Sequence, residues 1–503
     1  MKRGYLKGDG PRTSRMPSIL DSTQEPEVLD ENLGSSRMKK KGNYSHDHIP
    51  ELKKHALDIS IKEGTASNIS YSFGDSYITP FALALNAQPI HIGILSSISG
   101  FLYQLSQLIG AKAMVKHSRK RIVLYFVFLQ AIAWLLVSFV AFSVWKNLFD
   151  GYSVWVLITL YSLIMFLGGI SYSPWFSWMG DLVPENKRGD YFSKRNKTLS
   201  AAGLVAVLSA ALFLDYYKSK GYLLLAFGIL FALASLFKFI AYLLFQKQYS
   251  PQFRQKKKDY FSIWAFLKKY DNFGKFAVYQ GVFNIAIMIA SPFFIVYMLK
   301  ELNFSYLALT MTTVSYTVFY LIFLPLAGKF SDKYGNKKLT IIASIFFGIT
   351  PLLYTIVRSP LSVILLPMLS AGIASAASVI SFSNFIYDSV SQKHRSICFT
   401  FSNILTGVGT LIGSLIGGLM INYFHPAEMN PYIFIFFVAA ASRFLVALIF
   451  LPQIKEVRKV QKLPSKYDAF AHPVSFLHTE GIKFLHLPET ILGKFKNLKV
   501  LGI

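Results

Sequence analysis

The sequence predicts an all-α polytopic membrane protein of twelve transmembrane helices in two six-helix repeats, and three observations predict it. Of the 503 residues 53% are hydrophobic and 16% aromatic, and mean hydropathy is +0.41, which leaves too little polar surface for a soluble globule of this length. Apolar runs of about 20 residues follow one another, separated by charged or turn-rich segments; they are continuous, whereas barrel strands alternate apolar and polar residues. Finally, Asp181-Leu182-Val183 with Arg188, Phe192 and Asn196 recurs at one fixed interval as Asp388-Ser389-Val390 with Arg395, Phe399 and Asn403.

The first span, Ile69–Leu85, follows Ser67-Asn68 and carries Gly74 and Pro80, both of which weaken a regular helix. The second, Ile90–Ala113, begins after Pro89, and the third, Ile122–Trp145, lies between Arg119-Lys120-Arg121 and Lys146. Val154–Phe176 follows Asp150-Gly151, Leu199–Leu214 lies between Lys197 and Asp215, and Leu223–Phe245 between Gly221 and Lys247. In the second half, Phe276–Leu299 runs from Lys275 to Lys300 with Ser291-Pro292 in its middle, and Leu307–Ala327 stops at Gly328. Leu339–Val357 is bounded by Lys338 and Arg358, Leu361–Phe382 begins after Pro360, Phe399–Ile421 follows Arg395, and Tyr432–Leu451 lies between Pro431 and Pro452.

Lys and Arg crowd alternate loops, as at Lys112 to Arg121, Lys187 to Lys197, Gln246 to Lys275, Lys329 to Lys338, and Lys393 with Arg395, while Lys146, Lys218, Lys220, Lys300 and Arg358 are the few in the others. That bias predicts a multi-pass protein of the cell membrane with both termini cytoplasmic. The expected organisation is a disordered cytoplasmic tail over 1–66, a six-helix bundle over 67–246, a connector over 247–275, a second bundle over 276–453 and a cytoplasmic tail over 454–503. Further matches extend the repeat: Pro80-Phe81 with Pro292-Phe293, Gly110 with Gly328, and Lys238-Phe239 with Arg443-Phe444. The net charge of +26 belongs to loops and tails, and no nucleic-acid motif accompanies it. The chain begins without the apolar segment of a cleavable signal peptide, so the first span is expected to direct insertion. Lys39-Lys40-Lys41 and the tail from Lys455, including an amphipathic stretch over Thr479–Leu501, are placed to meet an anionic leaflet.

The turn Gly328-x-x-x-Asp332-Lys333-x-Gly335-x-Lys337-Lys338 resembles the best-known signature of the major facilitator superfamily of secondary transporters, with Lys where Arg is commoner. Its counterpart in the first half keeps Gly110 and Arg119-Lys120-Arg121, with Met114 where the Asp would stand. Asp181-Leu182-Val183-Pro184-Glu185 with Arg188-Gly189 is similar to the loop after span four in many prokaryotic members. The resemblance implies a cytoplasmic latch in which Asp332 meets the start of span eleven near Phe399, and cavity walls from spans one, four, seven and ten. On the residues alone, the lysines of the turn also serve the positive-inside bias. Asp181 with Arg188 and Asp388 with Arg395 read either as matched gate positions or as plain helix-end ion pairs.

Asp75 is the candidate for chemistry: a carboxylate in hydrocarbon is expensive and marks an ion or proton pathway, and its repeat partner is Ile287. Tyr77, Tyr172, Trp175, Gln280, Asn284 and Asn384 complete the expected cavity lining. A lining that is aromatic and uncharged apart from Asp75 favours a neutral, cationic or amphiphilic solute over a polyanion. Lys238 and Arg443 lie inside spans six and twelve and are expected to pair with carboxylates. No Walker-type phosphate loop, zinc motif or nucleophile elbow is present, so neither cofactor, metal nor enzymatic activity is expected. The lone Cys398 precludes an internal disulfide. The expected function is secondary active transport of a small solute, coupled to protons, by a monomer in a lipid bilayer. A receptor or scaffold that kept the fold, and an uncoupled facilitator, are the rivals.

Overall fold

The computed structural model describes residues 49–148, 151–184, 188–251, 271–390, 394–424, 429–458 and 460–461; Pro50–Ile503 is one unit, distinct from Met1–Ile49. Every span is helical. Span one is Ile49–Phe73, a 3-10 turn Asp75–Tyr77 and Ile78–Ala84; spans two to six are Pro89–Ala113, Arg119–Trp145, Ser153–Leu182, Arg188–Ser219 and Leu223–Lys247. Span seven is Asn272–Met288, Ser291–Val296 and Tyr297–Glu301; spans eight to twelve are Tyr306–Tyr334, Asn336–Ile356, Pro360–Ser389, Arg395–Tyr423 and Pro431–Phe450. Among the described residues eleven helices are long and apolar enough to cross a membrane, span one being excepted by its polar first half.

Several boundaries differ from expectation. Helix starts at Ile49, inside the stretch 1–66 expected to be disordered. Ala56, Ile59, Ser60, Glu63 and Ala66 recur at helical spacing and are all buried, a one-sided stripe that average polarity conceals. Residues 1–48, 252–270 and 462–503, and with them Thr479–Leu501, whose sequence reads equally as an interfacial helix or as disorder, lie outside the described residues. Span eight runs through Gly328 to Tyr334, so the signature turn narrows to Gly335, whose φ of 98° suits a residue without Cβ.

Alternate ends of the spans define two faces: a proximal face, where span one starts and span twelve ends, and a distal face. The two halves are joined distally. Span two lies against span eleven along small residues, where Gly93 meets the Ser414 carbonyl and Gly418, and Ser97 Oγ donates to Leu411 O at 3.0 Å. Asp215 of span five accepts from Tyr306 N and Leu307 N of span eight, both at 2.9 Å, capping the start of that helix. One hydrophobic core collects Phe81, Phe227 and Phe231 with Phe293, Tyr297 and Phe436, residues of both halves. Proximally, the buried cores around Trp178 and around Ala343 each come from one half.

The first span of each half is broken, and a cation from the last span of that half lies at the break. In span seven the break falls before Ser291-Pro292. Arg443, 1% exposed, donates from Nε to Ala286 O (3.2 Å), from Nη2 to Ile287 O (2.8 Å) and from Nη1 to Phe347 O (2.7 Å). Phe347 O would ordinarily accept from the residue four positions on, which is Pro351 and has no N–H. Arg443 therefore satisfies carbonyls and not the carboxylate expected of it, because the breaks leave acceptors that need donors in an apolar interior.

Arg443→Leu removes this donor from all three carbonyls and leaves Ile287 O with the Ser291 hydroxyl at 2.9 Å; a carbonyl left unpaired costs about 1–3 kcal/mol. We expect a lower melting temperature in detergent, and a smaller additional loss when Pro351→Ala restores an N–H to Phe347 O; purely additive losses would refute the assignment.

Candidate functional site

Gly74 breaks span one because the Trp134 ring lies where its Cβ would be, 2.6 Å from Cη2. The chain turns through 3-10 geometry, and Asp75 is thereby set on an irregular segment at mid-span. The Tyr161 hydroxyl donates to Asp75 Oδ1 at 3.4 Å, and Lys238 of span six is the cation that acts on Asp75. Both groups open onto a cavity of about 390 Å³ lined by first-half side chains, including Tyr71, Tyr103, Tyr172 and Trp175. Tyr71 is 58% exposed although it lies at mid-helix, so the cavity is wide enough to admit solvent to its wall.

A second charged pair shares this cavity. Arg195 Nη2 donates to Glu63 Oε1 at 3.1 Å, Ser60 Oγ donates to the same oxygen at 3.3 Å, and the guanidinium lies over the Trp175 ring at 5.0 Å. Gly64 leaves the space that this guanidinium fills. The lining therefore carries Glu63, Asp75, Arg195 and Lys238, and the expectation of a lining uncharged apart from Asp75 is corrected. Glu63 lay in the segment expected to be disordered, and Arg195 read as a loop cation; only the buried stripe from Ala56 to Ala66 signals the first.

The second half presents a smaller cavity of about 100 Å³ beside Gln280 and Asn284. Both amides are engaged with span eleven: Ser402 Oγ donates to Gln280 Oε1 at 3.1 Å, and Asn284 Nδ2 to Thr406 O at 2.7 Å and Thr410 Oγ1 at 2.8 Å. Two further expected lining residues fall elsewhere. Tyr77 is buried in the distal core, where its hydroxyl donates to Val207 O at 2.7 Å and is hydrogen-bonded to the Thr310 hydroxyl at 3.1 Å, so it joins the halves. Asn384 donates to Ser331 Oγ at 2.9 Å, on the proximal side.

The profile described as Major Facilitator Superfamily matches residues 65–283 and again 276–495. The chain belongs to the Major Facilitator Superfamily. It is 26% identical over 158 residues to "Multidrug resistance protein 1" of Bacillus subtilis (strain 168), which is 31% of this chain and 39% of that protein. It is 30% identical over 148 residues to "Tetracycline resistance protein, class H" of Pasteurella multocida, 29% of this chain and 35% of that protein. The matches thus span less than two-fifths of these relatives' own lengths. A crystal structure of the nucleoside transporter NupG shares the fold, with a TM-score of 0.57 at 16% identity over 80% of this chain and 99% of that one.

The superfamily signature has a different partner from the one the resemblance implied. Asp332 pairs with Arg458 Nη1 at 3.3 Å, not with the start of span eleven. Arg458 Nε also meets Asp388 Oδ2 at 2.7 Å, and Asn336 Nδ2 donates to that oxygen at 2.8 Å, so Asp388 is not paired with Arg395. Its hydrogen bond to Asp388 raises the Arg458 pKa above the ordinary arginine value. Arg395 donates instead to Tyr387 O and Val390 O, at 3.0 and 3.1 Å, carbonyls at the end of span ten. Glu456 accepts from Lys337 N at 2.7 Å in the space Gly335 leaves open, Gln461 N donates to Lys333 O at 3.0 Å, and Lys338 Nζ donates to Gln461 O at 3.0 Å. In the first half Asp181 pairs with buried Arg119 at 2.7 Å; the side chain of Arg188, its expected partner, lies outside the described residues. These partners escaped the sequence reading because Arg458 stands beyond the last span and Arg119 looked like a topological charge.

Removing one member of the buried Glu63–Arg195 pair strands the other, at about 3–5 kcal/mol. Glu63→Gln and Arg195→Gln should each lower the melting temperature clearly, and the double substitution should lower it by less than the sum; equal additive losses would show the pair to be uncoupled.

Proposed function

We propose that this chain is a secondary active transporter that moves a small solute by alternating access, with Asp75 as the proton-coupling group. One observation carries the reading. A cavity with aromatic walls and four charged side chains ends at Asp75, on a broken helix, and immediately distal to it Tyr77, Ile78 and Phe81 are packed into a core shared by both halves. Access to the cavity is then from the proximal face alone, which the Lys and Arg bias assigns to the cytoplasm. Membership of the superfamily, and the resistance and nucleoside-transport names of the similar proteins, support transport over a scaffold role.

Lys238 of span six and Tyr161 of span four act on Asp75, and Asp75 in turn acts on Tyr71 of its own span and Tyr103 of span two. Among these, Lys238 is the counter-charge, so protonation of Asp75 changes the balance of the whole cavity. Discharge of one carboxylate can favour rejoining the halves around a less charged interior, which is the step a proton gradient drives.

In proteoliposomes Asp75→Asn should abolish accumulation driven by a pH gradient; unchanged gradient-driven uptake would remove Asp75 from coupling. In a Cys398→Ser background, Tyr71→Cys should react with a membrane-impermeant maleimide from the proximal side, and Tyr77→Cys should not. Labelling at Tyr71→Cys should fall when the pH gradient is imposed; labelling indifferent to the gradient would refute alternating access.

A further inference from the structure

We propose that the first-half cavity binds a zwitterion, a small molecule carrying both an ammonium and a carboxylate, with Asp75 receiving the first and Lys238 the second. The inference rests on the transport reading and adds the chemical class of the solute.

The cavity contains two anions and two cations, but they are not equivalent. Glu63 and Arg195 are in direct contact at 3.1 Å, and Glu63 acts on Lys238 only at longer range and less strongly than Asp75 does. Asp75 and Lys238 act on each other electrostatically, yet no ion pair within 4.0 Å joins them, and among the described residues Lys238 has no hydrogen bond. Two opposite charges therefore face one solvent-reached space with a gap between them. A charged group inside a span is costly unless it is partnered. A solute of one sign would neutralise one of the two and leave the other enclosed without a partner. A neutral solute would leave both. A molecule with both charges completes two charge-assisted contacts at once, and its own charges are compensated on leaving water.

The surroundings limit what joins those charges. Tyr71, Tyr103, Tyr172, Trp134 and Trp175 present aromatic surface to the cavity. Its volume of about 390 Å³ lies near the lower end of the roughly 300–1,000 Å³ typical of small-ligand sites. An amino acid with an apolar or aromatic side chain, or a dipeptide of small residues, matches both the walls and the space. The equivalent place in the second half has no such pair, since Ile287 stands opposite Asp75 and Arg443 is occupied by three carbonyls.

The test uses the full-length protein in detergent with phenylalanine and dialanine as probes, each beside its N-acetyl and its amide derivative. Dissociation constants are read by isothermal titration. We expect at least one zwitterion to bind, and capping either end to weaken it by roughly tenfold or more. Lys238→Gln should erase the preference over the amide, and Asp75→Asn the preference over the N-acetyl form, with melting temperatures of the free variants serving as the folding control. If either variant does not fold, the capped series on the unaltered protein decides alone. Capped forms binding within about threefold of the parent, or no binding of either zwitterion, overturns the proposal. Loss of the class with retention of gradient-dependent labelling at Tyr71→Cys leaves the transport reading standing; loss of both removes it.

Discussion

A helix that breaks inside a membrane must find donors for the carbonyls it frees, and that requirement organises both halves of this protein. In the second half Arg443 meets it with three carbonyls around one guanidinium, and Ser291 Oγ donates to Ile287 O beside it. The first half has a lysine at the matching place and an aspartate where the second half has Ile287. The same architectural position is thus spent on closure in one repeat and left chemically open in the other. Asymmetry between duplicated halves is what converts a scaffold into a site.

The distal and proximal faces follow different rules. Distally, Asp215, Tyr77 and the small residues of spans two and eleven bind the halves through backbone contacts and short hydrogen bonds. Proximally, each half ties itself together. Lys120 holds Gln246 O and Gln248 O at the end of span six, and Asn272 donates to Lys455 O where spans seven and twelve meet. Polar contacts that close within a half are indifferent to rigid movement of that half, whereas contacts between halves are not.

Much of the fold was legible in the sequence because hydrocarbon imposes length and apolarity, and those are counted directly: the spans, the duplication and the superfamily signature are all matters of spacing. Asp75 was legible for the same reason, as a charge where none is tolerated without cause. Glu63 was not, because its helix begins outside the hydrocarbon and reads as polar on average. The partners of Asp332, Asp388 and Asp181 were not legible either. Sequence identifies an acid at a helix end, but which of many nearby cations reaches it depends on the path of the chain, and Arg458 comes from a segment that carries no pattern of its own. Tyr77 follows the break in span one, beyond which spacing no longer fixes rotation, and Asn384 lies near the proximal end of span ten, so other neighbours take both.

The seam between spans two and eleven has a mechanical consequence. Where Gly93 and Gly418 face each other, a Cβ on either would come 3.1–3.2 Å from the other's Cα, so the two backbones pack closely. Such a contact resists separation through close dispersion. The seam is held at this point by backbone proximity, which any larger residue there would destroy.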